Sequence, residues 1–315
     1  MIRLGLCCSF RDEPIAFANT TATAVGKLSR DDALAKLSRL CLGNAQALEA
    51  ALVFCASRGI GCFRIVSQIL PLATHPEHGY RVDDLPDAEA ILERFRAAGR
   101  FAKQQGIRTC FHPDQFVVLN SKRDDVVAAS IREIEYQAEV AEWTGADVIN
   151  IHGGGAFGDK SAALDDLARA LDRLSDRARS RLTLENDDVT FTPSDLLPVC
   201  RSTGVPLVYD VHHHRCLPDE LDVEAATESA CTTWNREPMF HISSPLEGWA
   251  GPKPRRHHDF IDPLDFPDCW RSRTLTVEVE AKAKEAAVLA LAEALAASDR
   301  AGRAKSPAAP KRKKR

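Results

Sequence analysis

Eight times along this chain a short apolar run is followed by a segment of helical periodicity, and that alternation limits the possible folds more than any other feature. The strands read as Ile2–Cys7, Cys62–Val66, Arg108–Phe111, Asp147–Ile151, Leu182–Leu184, Pro206–Tyr209 running into Asp210, Met239-Phe240 running into His241, and Arg273–Val279. Between and after them the spacing predicts helices over Asp31–Arg58, Asp87–Gln105, Asp124–Gly145, Lys160–Arg179, Thr192–Gly204, Glu220–Cys231 and Lys284–Ala297. Thr192 followed by Pro193 is a cap with proline in the first turn, and Gly204 closes that helix. Repeated strand–helix units require parallel strands joined by helical crossovers. An open doubly wound sheet usually has fewer units and a Gly-rich phosphate loop after its first strand, which Leu6-Cys7-Cys8-Ser9 is not. The expectation is a TIM barrel, a single (β/α)8 domain over residues 1–297, with a disordered basic tail over 298–315.

With 315 residues and 44% hydrophobic content the chain can bury one large core. No apolar run reads as membrane-spanning, and Met1-Ile2-Arg3-Leu4-Gly5 reads as a strand rather than a signal peptide. None of the ten cysteines forms a CxxC pair, so they read as reduced thiols of a cytoplasmic protein. Net charge is -4, yet residues 301–315 hold seven Lys/Arg and no acid, leaving 34 basic against 45 acidic residues elsewhere. A body of net charge -11 binds nucleic acid only through a local positive patch or bound cations. The tail is expected to add non-specific DNA affinity through phosphate contacts.

The strand ends share one chemistry. In a barrel they face the active site, and here they present His75, His112, His152, Glu185, Asp210 with His213, His241 and Glu280, with His258 in the long loop after the seventh strand. All ten histidines fall between positions 75 and 258. The densest stretch is Asp210-Val211-His212-His213-His214, directly after a buried strand. One such histidine is ordinarily a hydrogen-bonded structural group, and a His-rich polar turn would account for that stretch alone. Eight strand-end positions of the same kind point instead to a cluster of two or three divalent metal ions. Carboxylates bridge ions as imidazole does not, which singles out Glu185, Asp210 and Glu280 as catalytic groups, the first two as bridges.

Several motifs resemble the UV damage endonuclease family. They are Phe63-Arg64-Ile65-Val66-Ser67-Gln68-Ile69-Leu70-Pro71 continuing to His75-Pro76, Phe111-His112-Pro113-Asp114-Gln115-Phe116, Leu184-Glu185-Asn186-Asp187, Asp210-Val211-His212-His213 and Glu280-Ala281-Lys282-Ala283-Lys284-Glu285. The likeness spans Ile2 to about Leu295 and holds in order and spacing. It implies a barrel related to endonuclease IV, carrying a three-metal, typically manganese, cluster. The reaction it implies is a nick immediately 5′ of a photolesion in double-stranded DNA, leaving a 3′-hydroxyl, by a monomer without membrane attachment. Carried over by position, the metal ligands are His75, His112, His152, Glu185, Asp210, His213, His241, His258 and Glu280, with His257 the neighbour that can be confused with His258. Gln115 and Phe116 match the pair that probes the lesion, and Lys282 or Lys284 is placed to contact phosphate. Three departures alter the lesion-reading shell: Leu6 and Phe10 stand where the family has Tyr and Asn, Phe116 where it usually has Tyr, and Met239 where it has a Lys near the metals. A second reading keeps the metals but assigns oxidative or isomerase chemistry on a small molecule or peptide.

Overall fold

Eight parallel strands close in sequence order: β1 Ile2–Cys7, β2 Cys62–Ile65, β3 Arg108–Phe111, β4 Val148–His152, β5 Leu182–Glu185, β6 Leu207–Asp210, β7 Met239–Ile242 and β8 Leu275–Val279. The last strand pairs back onto the first, Ile2–Leu6 lying against Leu275–Val279. The computed structural model describes residues 1–305, with side chains through residue 300. The fold is the expected TIM barrel.

Strand alternation sorts the side chains into two environments. Phe63, Ile65, Phe111, Ile149, Ile151, Leu184, Leu207, Tyr209, Phe240 and Val277 pack outward under the helices in one continuous core. Their inward-facing neighbours Cys62, Cys110, Val148, Val208 and Met239 form a separate apolar plug inside the barrel. The next inward layer, toward the C-terminal ends of the strands, is polar: Arg64, Asn150, Glu185, Asp210, His241 and Glu278 are all buried. The functional layer therefore rests on a dry floor.

The first long helix, Arg30–Arg58, shows why the outer ring forms where it does. Ser29 caps its start by accepting from the Asp32 amide, Asp31 and Asp32 sit at the positive end of its dipole, and Gly59 ends it at φ 70°. Leu37, Cys41, Leu48, Leu52 and Cys55 are wholly buried against the barrel. By length and composition this helix is apolar enough to cross a membrane, contrary to the expectation that no run is. Its buried stripe is equally that of a core helix.

Other boundaries also differ from expectation. Lys160–Arg179 is two helices, Lys160–Leu171 and Asp176–Arg179, because Ser175 starts a new one by accepting from the Ala178 amide. The helix expected from Glu220 begins at Val223, where Asp222 supplies the cap. Val211–Cys216, read as a strand-end turn, is a six-residue helix. The closing helix runs from Lys284 to Lys305, past the expected boundary at Ala297. The rest of the expected tail, 306–315, lies outside the described residues.

Candidate active site

Glu185, at the end of β5, is the centre of the barrel mouth and completely buried. Its two carboxylate oxygens face different partners. Oε2 meets His112 Nε2 at 2.9 Å, accepts from Asn150 Nδ2, and lies 3.9 Å from His152 Nε2. Oε1 meets His241 Nδ1 at 3.1 Å and His213 Nδ1 at 3.4 Å. Burial would raise this carboxyl, but the surrounding His241, His152, His112 and His213 outweigh it and hold it well below the usual carboxylate range.

The backbone and neighbouring carboxylates orient the imidazoles. His112 Nδ1 donates to the Pro113 carbonyl at 3.0 Å, leaving Nε2 for the cluster. His241 turns Nε2 to Glu278 Oε2 at 2.9 Å and presents Nδ1 to Glu185. Burial acts to lower the His241 pKa, yet Glu185 and Glu278 outweigh it and raise the group to about 10. His152, whose pKa burial lowers, keeps Nδ1 buried without a hydrogen-bond partner. Its loop is pinned by Asn120, which donates to the Gly153 and Gly155 carbonyls at 3.0 Å each. At Gly154, φ 83°, a Cβ would collide with the same Asn120 side chain.

Asp210 ends β6 and caps the short His-rich helix, Oδ1 accepting from the His213 amide at 2.7 Å. Its other oxygen, Oδ2, is buried with no hydrogen-bond partner, 3.6 Å from His213 Nδ1. Unpartnered buried oxygen and nitrogen are costly unless a cation takes them. Imidazole with carboxylate is the donor set that divalent ions use, so these residues fit a metal site. Three close groupings of donor atoms are present: His112–His152–Glu185, His112–His241–Glu280 and Glu185–Asp210–His213. They gather seven of the nine expected ligands.

The other two expected ligands stand differently. His258 faces away: its Nδ1 accepts from the Phe260 amide at 3.0 Å. Its neighbour His257 points inward, Nδ1 lying 3.9 Å from Glu280 Oε2 and 3.2 Å from Ser243 Oγ. Backbone pairing decides this, because Pro245 and His257 form an antiparallel bridge. Of the two imidazoles in this loop, His257 is the one that approaches Glu280, while the assignment carried over by position was His258. His75 is not part of the close groupings. Its Nδ1 accepts from the Glu77 and His78 amides, and it lines an open cleft with Gln68, Asp114 and Phe116.

Three functional residues were missed. Arg64 is buried beneath the cluster and donates to Glu278 Oε2 at 2.6 Å and Glu280 Oε1 at 2.7 Å. Burial raises the Glu278 carboxyl, but Arg64 and His241 prevail and hold it at about 2. Asn150 is the third. The signal was available, since a period of two turns Arg64 and Asn150 inward with the ligands and places Glu278 on the same face of its strand as Glu280. A fourth donor grouping, Cys62–Cys110–Glu278, lies in the same buried layer. Burial pushes the Cys110 thiol well above its usual pKa, so it serves as an S–H donor to Glu278 Oε1 at 3.1 Å.

The expected probing pair is at the surface. Asp114 Oδ1 accepts from the Phe116 amide at 3.2 Å, and this Asx turn lifts Gln115 and Phe116 to an exposed tip directly after His112. Phe116 is 76% exposed. Lys282 is also exposed, its amide bonded to the His258 carbonyl. The departures other than Phe116 pack inward: Leu6 is wholly buried within β1, Phe10 lies half-buried against Phe54 and Phe63, and Met239 belongs to the interior plug.

A closed parallel barrel with imidazoles and carboxylates converging at its C-terminal mouth is a (β/α)8 protein whose clustered donors could hold metal ions. More specifically, the chain belongs to the UV-endonuclease UvdE family, whose sequence model matches residues 2–308. A Neurospora crassa protein described as UV-damage endonuclease is 37% identical over 274 residues, 81% of this chain but 40% of that protein. One from Deinococcus radiodurans, described as UV DNA damage endonuclease, is 34% identical over 301 residues, 92% of this chain and 94% of its own length. A crystal structure described as SacUVDE superposes with a TM-score of 0.84 at 27% identity, covering 95% of this chain and 99% of that one.

Proposed function

We propose that the chain is a DNA repair endonuclease that hydrolyses the phosphodiester immediately 5′ of a UV photolesion, using two or three divalent ions, with manganese as the working metal. The observation that carries this reading is the adjacency of Phe116 to the cluster. A large apolar ring is held in solvent by an Asx turn that follows β3 and His112, a donor facing Glu185. A ring so placed is free to gain apolar burial against a partner.

The ions would be held by His112, His152, Glu185, Asp210, His213, His241 and Glu280, joined by His257, with His75 reaching in from the cleft. When bound, divalent cations supply Lewis-acid stabilisation of phosphate oxygens and lower the pKa of water. The protein does the rest. Glu185 offers one oxygen to each side of the site, as a bridging carboxylate must. Asp210 offers a buried, unengaged Oδ2. Phe116 provides a flat face for a weakened base step and Gln115 an amide for the base edges, while Lys282 meets phosphate.

The test is nicking of supercoiled plasmid, irradiated or not, with manganese supplied. Nicked circles from irradiated plasmid alone, with ends that a polymerase extends, are expected. Glu185→Ala and Asp210→Ala should each abolish nicking and lower bound metal while leaving the fold intact. No nicking, or equal nicking of unirradiated plasmid, refutes the proposal.

A further inference from the structure

We propose that the loop after β7 grips the phosphate backbone of duplex DNA through Lys253, Arg255 and Arg256, on the side of the mouth opposite the probing tip. The proposal rests on the endonuclease reading above and names how a duplex lies across that site.

The first observation is position. In a closed barrel of eight strands in sequence order, the loops after β3 and β7 lie diametrically across the mouth. The loop after β3 carries Gln115 and Phe116, the loop after β7 carries the run Lys253-Pro254-Arg255-Arg256, and the donor cluster lies between them. A duplex centred over the cluster meets both.

The second is construction. The β7 loop is a built hairpin: Pro245 pairs with His257, the Leu246 amide donates to the Arg256 carbonyl at 2.6 Å, and a turn joins Arg256 to Lys253 at 3.1 Å. Trp249 Nε1 ties its arm down by donating to Asp265 at 2.7 Å. All three basic side chains are exposed. Arg255 leans toward Asp188 at 3.6 Å, whereas Lys253 and Arg256 form no ion pair among the described residues. Uncommitted cations on a rigid arm cost little ordering entropy when they meet an anion.

The third is charge. Outside residues 301–315 the protein is acidic, and the cleft on the probing side is lined by Asp114, Asp125 and Glu133 beside Arg132. The nearby Arg11 and Arg215 are engaged with Asp12 and Asp265. The hairpin therefore adds three exposed cations to the free positive charge of Arg132 and Lys282 that a polyanion can meet. It also links grip to chemistry, since its closing residue is His257, which faces Glu280.

The experiment is the salt dependence of duplex binding by the metal-loaded full chain, using one oligonucleotide duplex with and without irradiation. Lys253→Ser, Arg255→Ser and Arg256→Ser together should flatten the slope of log Kd against log salt by about two to three, at roughly 0.9 per phosphate contact. The loss should be equal for both duplexes, since phosphate carries no lesion information. Metal content reports the integrity of the hairpin base. If the triple variant loses metal, Lys253→Ser alone, at the tip, should still flatten the slope by about 0.9, and Arg256→Lys should keep the parental slope. An unchanged slope in a variant that still nicks irradiated DNA overturns this proposal alone. A parent that binds no duplex at low salt overturns it together with the endonuclease reading.

Discussion

Replacing Arg64 with Met keeps most of the side-chain volume but removes the one guanidinium beneath the cluster. The structure sets the size of the effect. Arg64 is 8% exposed and donates to two carboxylates, Glu278 at 2.6 Å and Glu280 at 2.7 Å. Without it, among the described residues His241 is the one basic group paired with both. Removing one partner of a buried pair costs about 3–5 kcal/mol, because the charge left behind keeps its desolvation penalty. For a domain of this size that corresponds to a fall in Tm of roughly 5–8 °C in metal-free protein. Divalent cations can neutralise Glu280 in place of the arginine, so part of the loss should be recovered on adding manganese. The gain in Tm on adding metal should therefore be larger in Arg64→Met than in the parent. Adding Glu278→Gln should also recover stability by removing the stranded charge. Calorimetry of both proteins after chelation, with and without manganese, measures these terms. A metal-free loss below about 1 kcal/mol, or the same loss with and without metal, would refute the reasoning.

Three further outcomes are expected. His257→Ala should lower bound metal by one ion or weaken it measurably, while His258→Ala should not; the reverse result would restore His258 as the ligand. Gln115→Ala with Phe116→Ala should leave stability within about 0.5 kcal/mol of the parent, since both residues are exposed, yet lose roughly 5- to 150-fold in preference for irradiated duplex, the equivalent of about 1–3 kcal/mol of stacking; undiminished preference places lesion recognition elsewhere. In metal-free protein the depressed Glu278, at about 2, contributes stability that is present above its ordinary 4.5 and lost as pH falls toward 2. The raised His241, at about 10, contributes stability that is present below its ordinary 6.5 and lost as pH rises toward 10. A Tm profile that peaks between these limits is expected, and one still rising above pH 7 would contradict the assignment.

The barrel was legible in the sequence because each strand is a short apolar run and most helices carry their own start and stop residues, Thr192-Pro193 to Gly204 being the clearest. The cluster was legible because ligands at strand ends differ so sharply from the apolar residues before them. What was lost depended on contacts between distant residues. Val211–Cys216 is helical because Asp210 caps it, in a segment whose three histidines give no helical signal of their own. His257 and His258 are identical in type, and only the pairing of Pro245 with His257 decides which faces inward. Arg64 looked like an ordinary charge within a motif, and its role appears only when β8 brings Glu278 beside it.

The apolar floor under the cluster bears on the order of assembly. Cys62, Cys110, Val148, Val208 and Met239 close the barrel interior with hydrocarbon and sulfur, and Arg64 with protonated histidines supplies positive charge among the carboxylates above them. In small zinc-dependent domains the ion is itself the folding energy. Here the scaffold can close around a site that already has its own counter-ions. On the metal-dependent reading proposed above, loading would be an exchange of protons for ions in a finished protein rather than a step of its folding.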